Sequence, residues 1–142
     1  MSQTRFKSQT AGAIPPGLRM LLQQLGVSQP VQMRVDGRAS LDYAGGRLDV
    51  YPLPGGPLIC QVTLCSLGMG SMEEDNERIS RLLRYSLTQI SQPFAIMAHS
   101  HVGNSLVLQC ALSDRLSGVD MQSAISQFLN AADKWLYVAR HK

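Results

Sequence analysis

Three short turns in the first half of the chain constrain its fold more than any other feature. They are Asp36-Gly37, Gly45-Gly46 and Pro54-Gly55-Gly56-Pro57. The segments they separate alternate in polarity. Val31, Met33 and Val35 alternate with Gln32 and Arg34. Leu41 and Tyr43 alternate with Ser40 and Asp42, while Leu48, Val50 and Pro52 alternate with Arg47, Asp49 and Tyr51. The next run, Leu58 to Leu67, is a stronger strand, with Ile59, Val62 and Leu64 among its apolar residues. Alternation with period two is the pattern of a half-buried strand, and such glycine and proline clusters bound strands. The turns are too short for a crossover helix, so the strands form an antiparallel meander.

Helical periodicity frames this meander. Pro15-Pro16-Gly17 opens a leading helix, where proline suits the first turn. Leu18, Leu21, Leu22 and Leu25 then follow at i, i+3, i+4 and i+7, and Gly26 stops the helix. Further on, Gly68, Gly70 and the acidic run Glu73-Glu74-Asp75 precede a central helix, whose first-turn charges complement the helix dipole. Its stripe is Ile79, Leu82, Leu83, Ser86, Leu87 and Ile90, and Pro93 ends it. Phe94–Val102 and Ser105–Leu112 flank a Gly103-Asn104 hairpin turn. A closing helix carries Asp120 as N-cap or first-turn acid. Its apolar face holds Met121, Ala124, Ile125, Phe128, Leu129, Ala132, Trp135, Leu136 and Ala139. The expected class is α+β in the order α-β-β-β-α-β-β-α, an antiparallel twisted sheet flanked by three helices. Residues 1–13 read as a flexible tail and 14–142 as a single domain.

Composition narrows the function classes. Of 142 residues, 44% are hydrophobic and 16% charged, against a usual charged fraction of about a quarter. This excludes an intrinsically disordered polyelectrolyte and leaves apolar surface for a partner to cover. The formal net charge of +3 is concentrated at the ends of the chain. Setting aside Arg5, Lys7, Arg140 and Lys142 leaves nine basic side chains of the thirteen, against ten acidic ones. The remaining basic residues are scattered and not interleaved with aromatics, so no contiguous nucleic-acid footprint is expected. No run approaches the roughly 18 apolar residues of a membrane span. The first sixteen residues lack the apolar core of a secretory signal. The three cysteines form no CxxC pair. Cys60 and Cys65 stand five apart, which on one regular strand places them on opposite faces. Reduced thiols in a cytoplasmic protein are expected.

No catalytic constellation emerges. His99 and His101 are i, i+2 on an expected strand and could supply two zinc ligands, but a third is not visible nearby and His141 sits at the chain end. Surface histidines are the plainer account. Gly68-Met69-Gly70-Ser71 precedes a helix yet has neither the lysine nor the spacing of a phosphate loop. Ser100 between the histidines is no triad, since no GxSxG precedes a helix. Cys110 lies in an apolar strand and reads as core packing. Glu73, Glu74, Asp75 and Glu77 lack the pattern of a calcium loop. An enzyme is therefore not expected, and no cofactor or metal is implied.

What remains is surface. The leucine stripe of the leading helix is either ordinary core or a groove for a partner's apolar anchors. Met20, Met33, Met69, Met72 and Met97 are adaptable side chains that fill core gaps or suit surfaces accepting varied partners. The central helix, with Ser86 allowing close approach, either packs on its own sheet or meets its copy across a two-fold axis.

The element order and these residues together resemble the class I type III secretion chaperones, the family typified by the Tir chaperone. The resemblance covers nearly all of residues 14–142. It rests on the leading leucine helix (Gly17 to Gly26), the meander ending in Leu58-Ile59-Cys60-Gln61-Val62-Thr63-Leu64, and the central helix with Ile79, Leu82 and Leu83. The hairpin Ala95–Leu112 and the closing helix with Phe128 and Trp135 complete it. It implies a bacterial cytoplasmic homodimer linked to virulence. Such a protein binds the N-terminal segment of a type III secreted effector in an extended, non-globular state, keeping it soluble and secretion-competent. The secretion ATPase is a further partner on this reading. By the same resemblance the dimer interface maps to Ile79, Leu82, Leu83, Leu87, Ile90, Ala95 and Met97. The effector-binding patch maps to Leu18, Leu21, Leu22 and Leu25, with Met33 and Val35. Family members are commonly acidic, whereas this chain is formally basic and near neutral without its ends. The competing expectation is a dimeric α+β adaptor that binds folded partners.

Overall fold

The computed structural model describes residue 23 and residues 38–43, 46–90, 95–113 and 115–141. In chain order the elements are β1 (Ala39–Tyr43), β2 (Gly46–Pro52), β3 (Leu58–Ser66), α1 (Met72–Thr88), β4 (Ile96–Ser100), β5 (Ser105–Leu112) and α2 (Gly118–Arg140). The expected α+β order therefore holds from β1 onward. Gln23, within the expected leading helix, is helical; the rest of that helix and the strand positions Val31, Met33 and Val35 lie outside the described residues. Two helices are described over their whole length.

The five strands form one sheet in the order β1-β2-β3-β5-β4, and every pair is antiparallel. The meander β1-β2-β3 is as the turns predict. β5 rather than β4 then joins β3. The reason lies in its residues: Leu106, Val107 and Leu108 are buried in succession, so β5 is apolar on both faces, as an interior strand should be. β4 is short and partly exposed, and it takes the edge.

One face of the sheet carries the core. Leu48, Val50, Leu58, Cys60, Val62, Leu64, Leu106, Leu108, Cys110 and Leu112 meet Met121, Ile125, Phe128, Ala132, Trp135, Leu136 and Ala139 of α2. The strand positions recur every second residue and the helix positions every three or four, which is how each backbone presents one face. Burying a side chain of this size contributes about 1.5–3 kcal/mol. A β-bulge breaks the alternation between Thr63 and Cys65, bringing Cys65 into register with Leu106. The bulge inserts one residue, so Cys65 turns to the core face with Leu64. This overturns the expectation that Cys60 and Cys65 point to opposite faces.

Both helix starts are capped by a serine. Ser71 Oγ accepts from Glu74 N at 3.1 Å, and Ser117 Oγ accepts from Asp120 N at 3.2 Å, satisfying amides with no partner inside the helix. Asp120 is thus a first-turn acid, not the cap. The end of α2 is closed from outside: the Arg81 guanidinium on α1 donates to the Val138 and Ala139 carbonyls at 3.4 and 3.3 Å. α1 stops at Thr88, before the proline expected to end it. There the Ser86 and Thr88 hydroxyls donate back to the Leu83 and Tyr85 carbonyls, each at 2.6 Å, the local competition that weakens a helix. β4 likewise ends at Ser100 rather than Val102. Ser100 pairs with Ser105, so the hairpin loop is His101–Asn104, with positive φ at Gly103 and Asn104.

Candidate functional site

Exposed apolar side chains gather where the end of α1 meets edge strand β4. A concavity there is lined by Leu83, Ser86, Leu87, Gln89, Ile90, Ala95, Ile96, Met97 and Trp135. Leu83, Leu87, Ile90 and Ile96 are between 51% and 72% exposed, which is large for four aliphatic side chains in one place. Leu83 and Leu87 share a face by helical spacing, and Ile90, just past the helix end, joins them in lining the concavity. The concavity continues around β4, because successive strand residues alternate sides. Met97 is in register with Leu108 on the core face, whereas Ile96 is in register with Gln109 on the outer face. Trp135 is buried, and its ring meets Tyr85 edge-to-face at 4.9 Å, so the floor of the groove is rigid.

The residues assigned to the dimer interface fall into two groups. Leu82 is fully buried and belongs to the subunit's own core, with half-buried Ile79 packed against it. Leu83, Leu87 and Ile90 are exposed, and Ala95 and Met97 are half-buried beside them. The central stripe therefore serves two surfaces. Leu82 lies about 100° around the helix from Leu83, enough to turn one inward and the other out. Sequence reasoning missed Ile96 as part of this surface. Its signal was an aliphatic residue at an outward strand position. The residues assigned to the effector patch, Leu18, Leu21, Leu22, Leu25, Met33 and Val35, lie outside the described residues.

A polar row crosses the outer face of the sheet. Ser40, Asp49, Gln61 and Gln109 are successive register partners across β1, β2, β3 and β5. Asp49 is fully buried, and its carboxylate accepts from Ser40 Oγ at 2.6 Å and Arg47 Nε at 3.1 Å. Arg38 Nη1 lies 3.8 Å from the same carboxylate, and its guanidinium stacks over Tyr51 at 4.2 Å. Gln61 Oε1 accepts from Gln109 Nε2 at 2.7 Å and from the Tyr51 hydroxyl at 3.4 Å. The Asp49 carboxylate and Gln61 Oε1 thus each accept two hydrogen bonds. The alternation read Asp49 as merely outward. Its burial comes from the arginines and aromatic beside it.

The other motifs are also committed to structure. Gly68 N donates to Asp75 Oδ2 at 2.8 Å, so the glycine loop before α1 hands its amide to the helix's own acid. His99 Nε2 lies 2.8 Å from Asn104 Oδ1, and Asn104 Nδ2 donates to the Leu67 carbonyl at 3.3 Å. With the amide so fixed, His99 is the donor to Asn104. This chain of bonds pins the β4–β5 loop to Leu67, just past the end of β3. The His99 and His101 rings meet edge-to-face at 5.1 Å. Among the described residues no group of three His, Cys, Asp or Glu is placed to hold a metal ion. No described helix is long and apolar enough to cross a membrane.

No family model matches the sequence, and no curated protein matches it. Solved structures do. One match is to the complex of the Yersinia pestis type III secretion chaperone SycH with a stable fragment of YscM2, at 15% identity and TM-score 0.54, covering 86% of this chain and 98% of that one. Another is to the HopA1–SchA chaperone–effector complex, at 10% identity and TM-score 0.59, over 92% and 95%. A third is to the heterodimeric ExoU–SpcU complex from the type III secretion system of Pseudomonas aeruginosa, at 22% identity and TM-score 0.52, over 86% and 96%. At these identities the likeness is one of fold. It agrees with the resemblance drawn from the element order.

Proposed function

We propose that this chain is a type III secretion chaperone, a cytoplasmic binding protein rather than an enzyme. The observation that carries the reading is that its fold runs nearly end to end along chains from a type III secretion chaperone complex and from a chaperone–effector complex. On this reading two copies meet through the groove of α1 and β4, burying Leu83, Leu87, Ile90 and Ile96. The N-terminal segment of a secreted effector is held extended. Its backbone adds to a sheet edge, which satisfies main-chain hydrogen bonds without demanding one sequence. If β4 is covered by the second copy, β1 is the edge left among the described strands. The client's apolar side chains anchor on Leu18, Leu21, Leu22 and Leu25, with Met33 and Val35. Ordering a disordered chain is costly, so the contact must be extensive. Binding needs no nucleotide or cofactor, and release falls to other components such as the secretion ATPase.

The test is affinity capture from the native cell, with mass spectrometry and limited proteolysis of the captured complex. The expected result is a larger protein held through a protease-protected N-terminal segment, at two copies of this chain per client. Leu21→Asp should weaken that complex at least tenfold while the free protein stays soluble. Capture of a partner through an intact folded domain would instead support an adaptor.

A further inference from the structure

Cys60 and Cys110 are register partners on β3 and β5. Both are buried, both are free thiols, and both lie on the core face. Register partners in an antiparallel pair hold their Cα atoms about 4.5 or 5.5 Å apart, according to their place in the ladder. Disulfides span roughly 4.4–6.8 Å between Cα atoms, a range that contains both spacings. Cys65 does not compete within the chain. It lies five residues along β3, roughly 16 Å at about 3.3 Å per residue, and in register with Leu106.

We propose that Cys60 and Cys110 form a latent cross-strand disulfide, closed by exchange with a small disulfide such as glutathione disulfide when the surroundings become oxidising. One thiol loses its proton to solvent, and its sulfur attacks a glutathione sulfur. The glutathione S–S bond breaks, and the first glutathione leaves as a thiolate that takes up a proton. The second cysteine, likewise deprotonated, attacks the protein sulfur of this mixed disulfide and expels the second glutathione. The pair is oxidised by two electrons and the glutathione disulfide is reduced by two. The thiol–thiol hydrogen bond with Cys110 and burial both hold Cys60 well above the ordinary thiol range. The native pair therefore reacts only as the sheet opens locally. The covalent loop runs from residue 60 to residue 110 and encloses all of α1 and β4, which carry most of the apolar groove. Closing it restricts the unfolded chain and favours the folded form.

The protein is refolded from urea in a glutathione buffer rich in the disulfide, so that burial cannot mask the pairing. Free thiols are then alkylated and the peptides mapped by mass spectrometry. The expected product has lost two hydrogens, joins the Cys60 and Cys110 peptides, and leaves Cys65 alkylated or glutathionylated. Cys65→Ser should still form the link, whereas Cys60→Ser and Cys110→Ser should not. The oxidised protein should melt several degrees above the reduced one and return on adding dithiothreitol. The proposal is overturned if Cys60 and Cys110 stay reduced or only glutathionylated. A link through Cys65, or between two copies, would overturn it too.

Discussion

Tyr43 shows how a single side chain in this fold ties an edge to the core. Its hydroxyl donates to Asp133 Oδ1 at 2.6 Å, with the Leu129 carbonyl 3.3 Å away, fastening β1 to α2. Burial first, then the hydrogen bond to Asp133 and that carboxylate's charge, hold the hydroxyl well above the ordinary tyrosine range. The folded chain thus keeps a proton that the unfolded chain releases near pH 10. The associated stability is complete below about pH 10 and declines as pH rises beyond it. Asp133 is exposed, so Tyr43→Phe should cost only about 1 kcal/mol at pH 8. Urea unfolding should show this difference shrinking above pH 10. An offset that stays constant with pH would place the contribution of Tyr43 in packing, not in its proton. Asp49 is the opposite case at this scale. An isolated Asp between Leu48 and Val50 reads as a solvent-facing residue, and only the tertiary placement of Arg38, Arg47 and Ser40 buries it.

The elements follow their local chemistry closely, and the departures have local causes. The turn at Pro54–Pro57 and the apolar spacing of α2 needed no tertiary information, and the structure has them where the residues place them. What the pattern could not decide is which side of α1 faces in. Ile79, Leu82, Leu83, Leu87 and Ile90 read as one stripe, yet a stripe this wide touches two surroundings. Leu82 is fully buried and Leu87 is 66% exposed. Leu82→Ala should therefore cost about 3 kcal/mol, the usual scale for a buried leucine. Leu87→Ala should change the unfolding free energy by less than about 0.5 kcal/mol, measured in dilute protein where no second copy contributes. Equal costs would mean that α1 packs with another face. The bulge at Thr63–Cys65 was illegible for a related reason. Nothing in the Thr63–Cys65 run announces an extra residue, and the shift appears only against the fixed register of β5.

At the scale of the whole molecule, the question is what covers the groove of α1 and β4. A sheet whose edge strand lies beside four exposed aliphatic side chains is a poor end state for a soluble chain. A second copy would bury both at once, since two-fold symmetry sets the same patch against itself. Folding would then be coupled to association, and the melting temperature should rise with protein concentration. Symmetry also doubles the effect of any substitution there. Leu83 is half exposed, so losing the other half of its burial in both copies removes roughly 1.5–3 kcal/mol, about ten- to a hundredfold in Kd, before the cost of burying two carboxylates is counted. Leu83→Asp should therefore give a soluble chain of monomer mass by light scattering at concentrations where the parent is a dimer. Its melting temperature should no longer depend on concentration. Unchanged mass and unchanged concentration dependence would remove the groove from the dimer. The exposed face of α1 would then be free for a client, and the search for the self-association surface would move to the β1 edge.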